Sequence, residues 1–398
     1  MAWPTKRPTK FGPEELASLD GALHTNELWY WKPQNPNGYV NRAVEEIQRY
    51  FNVPRTTVTS SGTASIHVAL GAAQLEPGSE VITSPITDAG TITPIIYQNC
   101  IPVFSDVDLN TSIITREHIE AQITDKTRAV VLVHLAGCPT NIDSISEFCR
   151  NKGIILIEDA CQALGAKDAN GRRLGTTGNF GCFSLNDQKH ITCGEGGFVI
   201  THSDDDYFLS HNYADKFYDR HKKGVRLNRA ALNYRMSELD GAMTLVQLDK
   251  LEEVVSKRSI VGDYLSSRLT EIEGVFPQLK EEGGRHSYFY FQLRLDEKLV
   301  KKGRDDFVKE LQARGIPASG AYVSSPLYKS PMFKNKSFFP GGIWPAELVN
   351  KKKYDYEGVI LTNTENAIAS TISLRLHEGI TNEDVDWCVQ QFKEVISS

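Results

Sequence analysis

Short apolar runs alternate with helical patterns between about residues 58 and 201. The runs are Glu80–Thr83, Ile101–Phe104, Ala129–Val133, Gly153–Ile157, Cys182–Leu185 and Gly197–Ile200. Several of them are apolar at consecutive positions, which is typical of strands that helices cover on both faces. Between the runs, apolar residues at helical spacing predict crossover helices, for example Ile142, Ile145 and Phe148 before Gly153. This part of the chain therefore predicts an α/β domain around a mainly parallel sheet.

The pattern changes after about Arg235. Apolar residues at helical spacing begin a long helical stretch with a charged opposite face, which could bridge two domains. Residues 288–295 then alternate between apolar and polar, which predicts a strand with one wet face. A helix over 305–314, a loop over 324–354 and an amphipathic helix over 382–395 follow. We therefore expect a large α/β domain with an N-terminal arm over 1–250, and a smaller α+β domain over 251–398.

Composition narrows the class of protein. The 398 residues carry 44 Lys and Arg against 50 Asp and Glu, a net charge of −6. This balance, without basic blocks, predicts no nucleic-acid partner. No apolar run is long enough for a signal peptide or a membrane span, so we expect a cytoplasmic protein with no membrane partner. The seven scattered cysteines fit reduced thiols in a core.

The first candidate segment lies where a probable strand over 56–59 turns into a helix. Ser61, Gly62, Thr63 and Ala64 would place backbone N–H groups and hydroxyls at the helix start. Such an arrangement can bind a phosphate monoester. The same segment also suits an ordinary capped helix start, so alone it does not define a site.

Two further segments carry candidate chemistry. The run Ile154–Ile157 ends in Glu158 and Asp159, so at least one carboxylate should lie at the carboxyl end of a strand, where open α/β sheets bind ligands. An exposed strand-end acid is the alternative for Glu158 and suits Asp159 less well. Lys189 lies between a strand and the glycine-rich stretch 194–197. Its amine can condense with an aldehyde, whereas an ordinary loop lysine is the alternative.

Together the three segments describe a phosphate cradle, a strand-end acid and an imine-forming lysine. Pyridoxal phosphate uses all three, because it carries a phosphate, a pyridine nitrogen that a carboxylate can keep protonated, and an aldehyde. The combination therefore predicts this cofactor more strongly than any single segment does. We predict no metal site.

The order and wording of four motifs resemble the sugar aminotransferases of the DegT/DnrJ/EryC1/StrS family. The motifs are Ser-Gly-Thr-Ala at 61–64, Glu-Asp-Ala-x-Gln at 158–162, Phe-Ser and then Lys-x-Ile-Thr-x-Gly-Glu-Gly-Gly within 183–197, and Asn-Tyr-Arg-Met-Ser-Glu-Leu at 233–239. The resemblance extends from about Trp29 to the C-terminus. It implies fold type I of the pyridoxal-phosphate enzymes, similar to aspartate aminotransferase.

The resemblance also implies roles for single residues. Lys189 would hold pyridoxal phosphate as an internal aldimine and, once released, move a proton between substrate and cofactor. Asp159 would pair with the pyridinium nitrogen, and Gln162 would face the ring or its phenolic oxygen. The residues implied to hold the phosphate are Gly62, Thr63, Ala64 and Ser184, with Asn233 reaching over from the neighbouring subunit.

The activity that the resemblance implies is amino transfer in two half-reactions. An amino acid, usually glutamate or glutamine, would leave its amino group on the cofactor as pyridoxamine phosphate. A ketone on a sugar or cyclitol would then accept it, in the biosynthesis of an antibiotic or a surface glycan. The composite phosphate site implies a homodimer.

This chain departs from the family's wording in three places: at Thr87-Asp88, at Leu185-Asn186 before the lysine, from which little follows, and at 321–328. Where the family commonly has a Thr-aromatic pair that stacks on the cofactor, it has Thr87-Asp88. Either another residue covers the ring, or Asp88 meets a polar substrate group, or Asp88 only starts a helix. The motif His-Tyr-x-x-Pro-Leu-His appears altered at 321–328, which makes Tyr322 a candidate substrate contact and weakens the case for a nucleotide-linked substrate. The cluster 29–31 could line the entrance or form an apolar contact.

Two other functions remain open from the sequence. Related dehydratases have histidine in place of the lysine, so Lys189 favours a transaminase, although His190 follows it directly. The other alternative is a non-catalytic sensor that binds a sugar or the cofactor. The intact set of Lys189, Asp159, Gln162 and Ser184 disfavours it, because a pure binder needs no imine-forming amine.

Overall fold

The computed structural model describes residues 3–29, 37–218, 229–350 and 354–398. Two β-sheets organise them. The strands of the large sheet are β1 (Arg55–Thr59), β2 (Glu80–Thr83), β3 (Ile101–Phe104), β4 (Thr127–Val133), β5 (Ile155–Asp159), β6 (Phe180–Ser184) and β7 (Gly197–Thr201). The strands of the small sheet are β8 (Val275–Pro277), β9 (Phe291–Leu295), β10 (Ala318–Ser319) and β11 (Thr371–Leu374).

Helices surround both sheets. Among the described residues they are α1 (Pro13–His24), α2 (Tyr39–Phe51), α3 (Gly62–Ala72), α4 (Ala89–Tyr97), α5 (Arg116–Glu120), α6 (Ile142–Lys152), α7 (Asp204–Tyr213), α8 (Glu238–Thr270), α9 (Glu297–Val300), α10 (Arg304–Ala313), α11 (Pro331–Lys334), α12 (Pro345–Asn350), α13 (Thr362–Ser370) and α14 (Asn382–Ser397). None of these helices is both long and apolar enough to cross a bilayer.

The large sheet confirms the predicted mainly parallel α/β architecture. Its strands lie in the order β1-β7-β6-β5-β4-β2-β3, and only β7 runs antiparallel to its neighbours β1 and β6. Helices α3 and α7 pack on one face, against side chains such as Val131 and Ile157. Helices α2, α6 and α8 cover the other face, against side chains such as Leu156 and Phe183. Successive strand residues therefore enter different cores.

The small sheet is antiparallel, in the order β10-β11-β9-β8. The second half of α8, with α10 and α14, covers one face. The prediction that the other face of β9 is wet is wrong: Gln292 is only 4% exposed, and its Nε2 donates a hydrogen bond to Ser112 Oγ at 2.8 Å. Residues 110–112 of the large domain cover this face, a contact that the alternating pattern of β9 cannot reveal.

Helix α8 joins the two halves of the molecule. Its N-terminal half packs against α1 and α2, and its C-terminal half packs against β8 and α14. The expected domain boundary between residues 250 and 251 falls inside this helix and stays a prediction. The prediction of a loop over 324–354 is wrong in part, because this region contains α11 and α12. Phe333 of α11 packs on Phe104 of the edge strand β3, and Ala346 of α12 belongs to the same apolar cluster.

Candidate active site

A cavity of about 360 Å³ lies at the carboxyl end of the large sheet, next to the start of α3. The predicted site residues that line it are Gly62, Thr63, Asp88, Asp159, Gln162, Ser184, Lys189 and Tyr322. Lining residues that the sequence analysis did not name include Thr91, Cys161, Gln188, Glu195 and Phe289. Open α/β sheets bind ligands at this edge, and the structure brings the separate motifs together there. Ala64 and Asn233 do not line the cavity.

The N-terminus of α3 forms one wall. The first backbone bond within this turn runs from Ser65 N–H to Ser61 O at 3.0 Å, so the N–H groups of Gly62 and Thr63 have no acceptor within the helix. Ser61 Oγ accepts the N–H of Ala64 at 3.1 Å, which leaves that group less available to a ligand. The N–H groups of Gly62 and Thr63, together with the hydroxyl of Ser184, are therefore available to a phosphate group, and we call them the phosphate cradle.

Gly62 permits the close approach between α3 and β6. A Cβ atom there would lie 2.7 Å from Ser184 Cβ and 2.9 Å from Cys161 Sγ, both closer than real side chains allow. Ser65 Oγ fixes the same turn, because it donates to Phe183 O at 3.1 Å. The dimensions of the cradle thus depend on the lack of a Cβ atom at Gly62. A phosphate group fits a backbone that it can approach this closely.

Asp159 provides the buried charge of the cavity. Its side chain is 5% exposed; Oδ2 accepts from Thr91 Oγ1 at 2.7 Å, and Oδ1 accepts from the N–H of Cys161 at 3.1 Å. No described residue forms an ion pair with it. A buried carboxylate that has only neutral donors favours a cationic ligand atom. A protonated ring nitrogen meets that requirement, so the site fits pyridoxal phosphate in this respect too.

Glu158 has a different environment because it is on the other face of β5. It is 0% exposed; His134 Nε2 lies 2.7 Å from Oε2, and the N–H of Gly178 donates to Oε1 at 2.7 Å. Burial disfavours its charged form, but His134 and the backbone donors outweigh it and lower the pKa of Glu158. The interpretation of Glu158 as an exposed strand-end acid is therefore wrong, since the α/β core covers this face.

Lys189, and not His190, lies in the cavity. Its Nζ is 4.3 Å from the ring centroid of Phe289. His190 is buried outside the cavity, and its Nε2 lies 2.9 Å from Ser287 O. Burial, assisted by Arg258, lowers the pKa of His190 far below its ordinary value. This geometry does not support a role for His190 in place of Lys189.

Asp88 and Tyr322 also line the cavity. Asp88 caps α4, with Oδ1 accepting the N–H of Gly90 at 2.7 Å. The ring of Tyr322 is stacked on Tyr290, with centroids 5.6 Å apart. Burial, then the charges of Asp88 and Asp159, raise the pKa of Tyr322, so its hydroxyl is a protonated donor.

Gln162 is held in place by the backbone of the neighbouring turn. It is buried, and its Oε1 accepts the N–H of Ala136 at 2.8 Å, while its side chain also forms a hydrogen bond with Tyr322. Asn233 is exposed outside the cavity, and its Oδ1 accepts the N–H of Arg235 at 3.2 Å. Its expected role in a neighbouring subunit stays a prediction. Trp29 is exposed, while Tyr30 and Trp31 lie outside the described residues.

Two of the missed residues belong to distant segments. Thr91 follows the predicted helix start at Asp88, but nothing in the sequence pairs it with Asp159. Phe289 belongs to the alternating stretch 288–295, in which the pattern assigned it to the buried face of a strand. Among the described residues, no group of three His, Cys, Asp or Glu side chains could hold a metal ion.

The fold and the cavity define an enzyme of the type I pyridoxal-phosphate class. Residues 34–393 match the DegT/DnrJ/EryC1/StrS aminotransferase family. The chain belongs to this family, as its motifs predict.

Alignments with known relatives cover nearly the whole chain. The spore coat polysaccharide biosynthesis protein SpsC of Bacillus subtilis strain 168 is 26% identical over 396 residues, covering 97% of this chain and 95% of SpsC. An aminotransferase from Psychrobacter cryohalolentis has a TM-score of 0.85 and 25% identity, covering 99% of this chain and 98% of that one. The fold is also shared with a GDP-4-keto-6-deoxymannose-3-dehydratase, with a TM-score of 0.82, 22% identity, and 98% and 100% of the two chains covered.

The comparisons also bear on the cofactor. The dehydratase structure contains a trapped adduct of pyridoxal phosphate and glutamate. Together with membership of an aminotransferase family, this supports pyridoxal phosphate as the cofactor of this chain. The phosphate cradle, the buried acid and the cavity lysine fit its three functional groups.

Proposed function

We propose that this protein is an aminotransferase that moves an amino group from an amino acid, glutamate or glutamine, to a ketone on a sugar or cyclitol. The single observation that carries the proposal is the common cavity of Lys189, Asp159 and the N-terminus of α3. Family membership supports amino transfer. The polysaccharide role in the name of SpsC supports a sugar acceptor from a glycan pathway.

Several residues of the cavity have a part in this proposal. Pyridoxal phosphate, when bound, supplies a ring that accepts electrons from the bond broken at the substrate carbon. Asp159, oriented by Thr91 and the N–H of Cys161, would hold the proton on the ring nitrogen. Lys189 would bind the cofactor covalently and, after exchange with the substrate amine, move a proton to and from the substrate carbon. The groups that would hold the phosphate are the N–H groups of Gly62 and Thr63 and the hydroxyl of Ser184.

The residues that would contact the substrate are less closely defined than those that would hold the cofactor. Gln162 would face the cofactor ring or its phenolic oxygen. The protonated hydroxyl of Tyr322 would donate to a substrate oxygen, and Asp88 would accept from a substrate hydroxyl. We also propose a cytoplasmic homodimer in which the exposed Asn233 reaches the phosphate of the neighbouring subunit.

A dehydratase is the second candidate, because a dehydratase shares this fold. Two observations favour transfer over dehydration. Lys189 lies in the cavity, so an amine is available to return the proton. His190 is buried against Ser287 O and is not positioned to take its place.

The experiment compares Lys189→Ala with Lys393→Ala, a control at an exposed position of α14. We expect Lys189→Ala to lose the near-ultraviolet to violet absorbance of the lysine-bound cofactor, its trapping by borohydride, and amino transfer. The control should retain all three. Amino transfer by Lys189→Ala would contradict the proposed role, and a product that loses a hydroxyl without gaining nitrogen would favour the dehydratase.

A further inference from the structure

A second cavity, of about 750 Å³, opens beside the first. Gln188, Phe289 and Tyr322 line both cavities. The other walls come from the N-terminal arm, from α8 and from the end of β11. A substrate whose reacting carbon lies near Lys189 would extend into this space.

The second cavity is rich in positive charge. We call it the arginine pocket, defined by Arg7, Lys10, Arg258 and Arg375. Arg7 and Arg258 share the single carboxylate of Glu378, at 3.1 Å and 2.9 Å.

The positive charges of Lys10 and Arg375 are less compensated by carboxylates than those of Arg7 and Arg258. Lys10 donates to the backbone oxygens of Asp187 and Lys189, and Arg375 is exposed and has no hydrogen bond from its side chain to any described residue. Asp187 is the only acidic side chain among the described residues that line the pocket. Two carboxylates, those of Glu378 and Asp187, therefore face four cations, and the pocket keeps a positive charge.

Two residues that line the pocket, Ser373 and Tyr290, have buried hydroxyls with no hydrogen-bond partner among the described residues. Ser373 is 8% exposed. Since a buried hydroxyl without a partner costs free energy, such groups usually meet a ligand or water. A hydroxyl donor next to cations can contribute to the binding of an oxyanion.

The lowered pKa values of two cations in the pocket also favour a bound anion. Burial, then the neighbouring Arg7, lowers the pKa of Arg258 to about 10. Burial and Arg7 also lower the pKa of Lys10 to about 8. Glu378 and Asp187 act in the opposite direction but do not restore the ordinary values. The protein thus holds positive charges that a bound anion would stabilise.

We propose that the arginine pocket binds a carboxylate of a substrate. The inference rests on the proposed aminotransferase function, because the pocket adjoins the cavity of Lys189. Arginine recognises a carboxylate through paired N–H donors, and Arg375 has its donors available. The carboxylate belongs either to the amino donor or to an acidic keto sugar, two sources with the same recognition chemistry.

The first experiment measures binding without catalysis. Calorimetry follows glutarate binding to the holoenzyme of the wild type, Arg375→Gln and Lys10→Met, with Lys6→Met as the control on the exposed side of the same arm. We expect at least tenfold weaker binding in the first two variants, no change in the control, and weaker binding at higher salt. Unchanged glutarate affinity in both pocket variants would overturn the inference, and so would Arg375-dependent binding of uridine diphosphate at lower concentrations than glutarate.

The second experiment identifies the source of the carboxylate. The absorbance of the cofactor follows each half-reaction, with L-glutamate as donor and with a keto hexuronate or its neutral keto hexose counterpart as acceptor. If the donor supplies the carboxylate, Arg375→Gln raises the KM for glutamate at least tenfold and leaves both acceptors unaffected. If the acceptor supplies the carboxylate, the wild type prefers the keto hexuronate to the neutral keto hexose, and Arg375→Gln loses this preference. Wild-type behaviour of Arg375→Gln in both arms contradicts the inference and leaves amino transfer intact. Glutarate binding that depends on Arg375, without transfer from any donor, contradicts the proposed function alone.

Discussion

At the scale of single residues, the geometry of the cavity depends on hydrogen bonds to Asp159. Thr91 and the N–H of Cys161 each occupy one carboxylate oxygen, which fixes the plane of the carboxylate. Thr91 is itself held by Thr87, with the two hydroxyls 2.6 Å apart. In the proposed function Thr91 is therefore a positioning residue, which would act through Asp159 on the ring nitrogen of the cofactor.

We expect Thr91→Val to weaken cofactor binding by about tenfold, because a hydrogen bond to a charged group contributes about 1.5–3 kcal/mol. The change preserves the side-chain volume and removes only the hydroxyl. Absorbance titration of the apoprotein with pyridoxal phosphate measures the Kd. Thr93→Val, at a half-buried position of the same helix, is the control. Equal Kd values for Thr91→Val and the wild type would show that Thr91 does not position Asp159.

The residues of the site differ in how far the sequence could reveal them. Lys189 and Asp159 were predictable, because strand-end and glycine-rich motifs surround them. Thr91 and Phe289 were not, because their contacts join segments far apart in the chain, and periodicity carries no information on such pairs. For Glu158 the sequence left open an exposed strand-end acid, since a strand-end position does not reveal how completely the sheet is covered.

At the scale of elements, the close packing of α3 on β6 sets the size of the phosphate cradle. The apolar runs predicted most strands of the large sheet within a few residues, because buried parallel strands are apolar throughout. The prediction for β9 was less accurate, because Ser112 of the large domain contacts the polar face of this strand. The alternation of apolar and polar residues in a strand indicates which side chains share a face. It does not indicate which other segment packs on that face.

Gly62→Ala tests the packing of α3 directly. The added methyl would lie within 3 Å of Ser184 Cβ and Cys161 Sγ, so the helix start must shift away from the cradle. We expect the Kd for pyridoxal phosphate to rise at least tenfold and the free energy of unfolding to fall by about 1–3 kcal/mol. Gly303→Ala is the control, because its nearest contact is 3.8 Å from the new methyl. Cofactor affinity that is equal in both variants would contradict the close-approach argument.

At the scale of the whole molecule, the N-terminal arm connects the small domain with the cavity. Trp3 packs in the core of the small domain, and its Nε1 donates to Arg375 O at 3.2 Å. Arg7 donates to Lys189 O at 2.9 Å and His190 O at 2.8 Å, and it also pairs with Glu378. The backbone that carries Lys189 is thus tied to both domains through one buried group of charges.

Glu378→Gln should reveal how much this group stabilises the fold. Burial opposes the charge of Glu378, but Arg258 and Arg7 outweigh burial and lower its pKa below the ordinary 4.5. Without the carboxylate, two guanidinium groups stay buried together, so urea unfolding of the holoenzyme at pH 7 should show a loss of about 3–5 kcal/mol. Because a lowered carboxyl pKa stabilises the folded state above pH 4.5, the difference between wild type and variant should shrink as the pH falls below that value. Glu45→Gln, at an exposed position of α2, should show no comparable difference. A difference for Glu378→Gln that stays constant from pH 7 to pH 3 would mean that charge pairing is not its cause.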